Sequence, residues 1–172
     1  MSFFSRLFGR KPDLREQLRP LWFRVVEISR LPEYYAKSRV ADTVEGRFDM
    51  VVTITALTML RMEKSRALAP RTAALTELFV DDMDGQLRES GVGDVVVGKH
   101  MGKLMSALGG RMGALRDAMA TDDEDALRHV LERNVNFAQD GNPADLANRL
   151  RALYEDLASR TDDQVVAGDI AR

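Results

Sequence analysis

The sequence predicts an all-α fold, a single-domain helical bundle with a buried central helix. Three observations carry that expectation. Apolar residues recur at spacings of three and four in almost every segment longer than ten residues. No strand-like alternation bounded by hairpin turns competes with that pattern. A chain of 172 residues, 45% hydrophobic and 30% charged, is the size of one domain and apolar enough to bury a core.

The elements follow in order. Pro20 and Pro32 divide the early chain, so Asp13 to Ser38 reads as short helices with bends. From Phe48 to Met62 apolar residues surround the helix instead of lining one side, which marks the buried central helix. The next helix begins near Pro70, shows an apolar stripe of Leu75, Leu78, Phe79, Met83 and Leu87, and stops at Gly91. The clearest stripe runs from Val97 through Met101, Leu104, Met105, Leu108, Met112 and Leu115 to Met119. Thr121 with Glu124 has capping-box spacing, Asn142 before Pro143 reads as an N-cap, and Thr161 with Gln164 repeats the box. The organisation expected is an amphipathic basic peptide over residues 1–11, a helical domain over 12–160, and a tail or short helix over 161–172.

Composition excludes several functions. With 25 basic against 27 acidic residues and a pI near 5.8, no overall field favours nucleic acid, and no specific DNA binding is expected. The chain has no cysteine, hence no disulfide, thiolate nucleophile or sulfur-ligated metal. Gly93 to His100 has the glycine and lysine spacing of a phosphate loop, but histidine stands where Ser or Thr is needed and no strand precedes it. Asp81, Asp82 and Asp84 fail the calcium-loop pattern at Leu87 and read as a solvated face. Neither His100 nor His129 sits four residues from a second ligand in an HExxH arrangement. No metal site, cofactor or catalytic residue is expected, and the chain reads as a binding protein and not an enzyme.

Two further features bear on location. Phe3, Phe4, Leu7 and Phe8 share one helical face, with Arg6, Arg10 and Lys11 nearby, as an interfacial anchor for an anionic membrane surface requires. An alternative packs these phenylalanines on the body of the same protein. The longest charge-free apolar stretch, Met50 to Leu60, is too short to cross a bilayer, and no secretory signal is evident.

The run Leu78 to Lys99, LFVDDMDGQLRESGVGDVVVGK, resembles the core of the ubiquinol-cytochrome c chaperone family, in which an acidic helix ending in LRE leads through GVGD to VGK. Gly46 to Met62, with its FD pair and an apolar stretch closing on arginine, is similar to a second helix of that family. The sequence departs at Leu108 to Arg111, LGGR, where the family has an aromatic pair before GR. The resemblance implies an assembly chaperone for ubiquinol-cytochrome c reductase (respiratory complex III) that binds newly made cytochrome b, with a ribosome or a second assembly factor as a further partner. A functional reading of that motif makes Arg88, Glu89, Asp94 and Lys99 part of a polar rim around a client or partner surface; the alternative has Leu87 in the core, Gly91 as a helix stop, Asp94 capping the next helix and Arg88 with Glu89 solvated. Without a transit-like leader the protein reads as bacterial, cytoplasmic and peripheral on the inner face of the inner membrane. The alternative is a helical adaptor or regulator with a soluble partner.

Overall fold

A computed structural model of the chain describes residues 13–89, 94–121 and 123–171, without the side chains of residues 87–101 and 124. The elements are α1 (Leu14–Ser29), α2 (Pro32–Ala36), α3 (Val44–Glu63), a 3₁₀ turn (Ala69–Arg71), α4 (Thr72–Glu89), α5 (Asp94–Met119), α6 (Glu124–Asn134), α7 (Pro143–Ser159) and α8 (Asp162–Val166). No strand forms among the described residues, where extended pairing is limited to the single bridge between Val40 and Phe137.

The central helix is α3, packed by α1, α4, α5 and α7. Every residue from Asp49 to Leu60 is buried, which is why its apolar residues run all the way round. Its three threonines are accommodated by donating their hydroxyls to the carbonyls one turn back: Thr53 to Asp49 (2.7 Å), Thr55 to Val51 (2.7 Å) and Thr58 to Ile54 (2.9 Å). Burying them unpaired would cost on the order of 1–3 kcal/mol each. At the start of α3, Thr43 caps the helix, and a Cβ on Gly46 would stand 2.0 Å from the Ala41 carbonyl oxygen. Only glycine fits there.

The first helix corrects one expectation. α1 runs unbroken through Pro20. A mid-helix proline costs about 3 kcal/mol, because it forfeits one backbone bond and crowds the carbonyl four residues back. Here Leu18 and Leu21, Trp22, Val25 and Ile28 are buried on both sides of it, and burying such side chains gains about 1.5–3 kcal/mol each. Pro20 itself lies on the exposed side. The bend predicted at Pro32 is present, since α2 starts there.

The remaining helices follow their stripes. Leu75, Leu78, Phe79 and Met83 of α4 are buried, with the Phe79 ring edge-on to Trp22 at 6.1 Å. Leu104, Leu108 and Leu115 of α5 are buried, whereas Met105 of the same predicted stripe is 46% exposed. Asn142 caps α7 ahead of Pro143, and Thr161 with Gln164 forms the full capping box of α8. The box expected at Thr121 is different: Asp123 caps α6 through the Asp125 amide, while the Thr121 hydroxyl accepts from the Asp123 amide. A carboxylate one position before the helix displaces the more distant hydroxyl, because it reaches the first-turn amides directly.

The segment after α7 belongs to the core. Val165 and Ile170 are buried, Arg24 of α1 donates to the carbonyls of Ile170 (3.0 Å) and Ala171 (2.6 Å), and the Ala171 amide donates to Asp156 (2.8 Å).

Candidate functional site

A buried polar node fixes α5 against α3. Asp49 and Arg111 are 9% and 5% exposed. Arg111 donates through Nη1 to the Thr53 hydroxyl and the Asp49 carbonyl (3.3 Å), and through Nη2 to the Asn134 carbonyl and the Asp49 carboxylate (3.5 Å). The other carboxylate oxygen of Asp49 accepts from the backbone amide (3.0 Å) and side-chain amide (2.7 Å) of Asn136. Asn136 is presented by a loop pinned through the Val40–Phe137 bridge, where the Ala41 amide donates to its carbonyl (2.9 Å). Burial pulls the Arg111 guanidinium below its ordinary value, and the Asp49 carboxylate opposes that fall. The node therefore ties α3, α5 and the loop after α6 to one point.

With its inward side held there, α5 presents an unusual outward side. Gly102, Met105, Ser106, Gly109, Gly110 and Gly113 recur at helical spacing and face away from the buried Leu104, Leu108, Arg111 and Leu115. A Cβ added at Gly102, Gly109, Gly110 or Gly113 would meet nothing within 4 Å. These glycines answer no steric demand inside the fold, yet each lowers helix stability by about 0.5–1 kcal/mol relative to alanine. The result is a bare backbone surface beside one exposed methionine. Gly109 stands where the aromatic pair was expected, and its open surroundings show that a side chain there would point outward and would not fill the core.

The predicted rim residues occupy the connection at the start of this face. Arg88 and Glu89 belong to the last turn of α4, and Asp94 and Lys99 to the first turns of α5, with their side chains outside the described residues. α4 and α5 pack together, so the two pairs flank one junction. The phosphate-loop resemblance does not survive: Asp94 to His100 is helical, and Gly98 and Lys99 lie within α5. Of the acidic trio, Asp81 pairs with Arg15 and Asp82 accepts from Gln86 (3.4 Å). Phe3, Phe4, Arg6, Leu7, Phe8, Arg10 and Lys11 lie outside the described residues. Among the described residues no helix is long and apolar enough to cross a membrane.

Sequence reasoning missed the node. Its signal was available: a single carboxylate, Asp49, inside the largely apolar Phe48–Met62 segment, and a single arginine on the buried side of α5. Charges at such positions are retained only when paired.

An all-helical fold, built around the two segments that carry the sequence resemblance, is what the comparisons match. The family model for ubiquinol-cytochrome C chaperones matches residues 36–171, and the chain belongs to that family. Its class is thus an assembly chaperone for respiratory complex III. The crystal structure of the Cbp3 homolog from Brucella abortus is similar over 98% of this chain and 95% of that one, with 30% sequence identity and a TM-score of 0.80. No curated protein matches the sequence.

Proposed function

We propose that this chaperone captures newly made cytochrome b on the outward side of α5, with Arg88, Glu89, Asp94 and Lys99 framing one end of the contact. The carrying observation is the open glycine surface itself. Glycines at 102, 109, 110 and 113 weaken the helix and relieve no internal clash, so their use lies in letting another backbone come close. Small residues at helical spacing allow that approach to apolar membrane helices, and Met105 adds an adaptable apolar contact. A very apolar client suits such a surface. Phe3, Phe4, Leu7 and Phe8 with Arg6, Arg10 and Lys11 would rest on anionic lipid at the inner face of the bacterial inner membrane, where the client is inserted. A ribosome or second assembly factor would meet the protein at the same place.

Deletion of the gene in its native host tests the client. Membranes are analysed by a haem-sensitive spectrum and by blotting for cytochrome b against other respiratory cytochromes. Selective loss of cytochrome b, restored by the wild-type gene, is the expected result. Normal levels would sink the reading in favour of an adaptor with a soluble partner. In the rescue strain, Arg88→Glu with Lys99→Glu should abolish client capture with the fold intact; full capture would remove these residues from the contact.

A further inference from the structure

The side of α1 that faces away from the core is apolar at its centre. Phe23 is 65% exposed, the one exposed aromatic among the described residues. It borders a groove of about 770 Å³ whose walls include Pro20, Val26, Leu31 and Pro32, with Gly168 closing one side. That wall is firmly set, because Gly168 has φ +73° and a Cβ there would stand 2.7 Å from the Pro20 carbonyl oxygen. No residue of α5 lines the groove, so this face is distinct from the surface proposed for the client.

Charge is arranged antisymmetrically about Phe23. At about 100° of turn per residue, Glu16, Arg19, Glu27 and Arg30 all lie within about 40° of the Phe23 direction, and all four are exposed. Glu16 stands as far before Phe23 in sequence as Arg30 stands after it, and Arg19 as far before it as Glu27 after. Pro20 and Val26 flank the ring symmetrically in the same way. A second α1 laid antiparallel on the first, Phe23 against Phe23, therefore sets Glu16 of each copy against Arg30 of the other, Arg19 against Glu27, and Pro20 against Val26. Parallel alignment would set each charge against its own kind. Within one chain Glu16 pairs with Arg19 (2.8 Å) and Glu27 with Arg24 (2.5 Å), but the glutamate side chains remain 59% and 66% exposed and each carboxylate can accept a further donor.

We propose that a second copy of this chain covers the face, forming a two-fold dimer through antiparallel α1 helices. Each Phe23 enters the groove beside the other copy's α1, and the crossed pairs of Glu16 with Arg30 and Arg19 with Glu27 fix the direction of docking. Exposed pairs of this kind contribute more to selectivity than to affinity. A single helix about 24 Å long also offers less than the roughly 800 Å² per partner of a standard interface. The dimer is therefore reversible, with a Kd on the order of tens of micromolar, and forms where the protein is concentrated. It depends neither on the identity of the client nor on a membrane being present.

Sedimentation velocity of the full-length chain, from about 1 µM to about 500 µM without lipid or client, reads the monomer–dimer equilibrium. Phe23→Glu, Glu16→Arg, Arg30→Glu, and Glu16→Arg with Arg30→Glu are compared with the wild type. All three positions are exposed, so the core is left intact, and circular dichroism checks the fold of each variant. The wild type should pass from monomer to dimer over this range. Phe23→Glu should abolish the dimer, and either single charge reversal should weaken it about tenfold or more. The double reversal exchanges the two charges across the two-fold axis and should restore most of the loss. A wild-type monomer at every concentration would overturn the proposal and leave the face to a different protein. A dimer that survives Phe23→Glu would overturn it by placing the interface elsewhere, as would a folded double reversal no tighter than the single ones. Because no client enters the assay, failure here would leave the gene-deletion result untouched.

Discussion

The carboxylate of Asp49 and the guanidinium of Arg111 meet inside the protein, 62 residues apart in sequence, with a separation of 3.5 Å between Oδ1 and Nη2. A buried pair adds little over an apolar replacement, but removing one partner strands the other and costs about 3–5 kcal/mol. Asp49→Asn should therefore destabilise the fold by about that amount. Asp49→Leu combined with Arg111→Met should cost less than the two single changes summed. Urea unfolding followed by the single tryptophan, Trp22, measures both.

Trp22 also reports on its neighbour. Phe79 is fully buried and meets the indole edge-on at 6.1 Å. Phe79→Ala should cost about 3–5 kcal/mol, through lost transfer free energy and the cavity left behind. A change of less than about 1 kcal/mol, within the range of volume-conserving swaps, would mean that α1 and α4 collapse onto the space.

Two glycine substitutions should have opposite signs. Gly46→Ala drives a methyl group into the Ala41 carbonyl and should destabilise by at least about 1–3 kcal/mol. Gly109→Ala with Gly113→Ala meets open space and should stabilise by about 0.5–1 kcal/mol per site. If the outward side of α5 holds the client, the second variant will be more stable in thermal unfolding and yet deliver less cytochrome b to membranes. Improved stability with unchanged delivery would separate those glycines from client binding.

Acid should act on the helix-end pairs. Arg160 holds the Asp156 carboxylate below its ordinary value of 3.8, helped by the Ala171 amide, and Arg149 followed by the Ser38 hydroxyl does the same for Asp145. A carboxylate with a lowered folded-state value contributes stability that is fully present above its unfolded value and is lost as pH falls through the folded one. Stability should therefore decline below about pH 4, given unfolded carboxylates near 3.9. Arg160→Gln and Arg149→Gln should each reduce stability at neutral pH and flatten its loss in acid. Denaturant midpoints between pH 2 and 7 check both, and an unchanged slope would discount the pairs.

Periodicity revealed the helices because a buried side imposes its spacing on any sequence that packs. α3 was legible from its lack of a polar side, and the caps of α7 and α8 from Asn142 and Thr161. Pro20 misled, since a local rule about proline was outweighed by Leu18, Leu21, Trp22 and Val25 packing around it. Thr121 misled in a smaller way, because Asp123 offered a stronger acceptor one position from the helix. The Asp49–Arg111 pair was visible only as two unrelated exceptions to apolar patterning. No local spacing couples residues on different helices. The outward glycines of α5 were equally opaque, because only the packed fold shows which side of a helix is empty.

Arg24 and the carbonyls it holds are 146 and 147 residues apart. At a synthesis rate of about 5–20 residues per second, the first helix waits roughly 7–30 seconds for the segment that completes its surroundings. During that interval Pro20 has no Gly168 turn against its carbonyl. The seam between the first and last helices can form only after synthesis has reached residue 171, so the protein becomes whole later than most of its helices do.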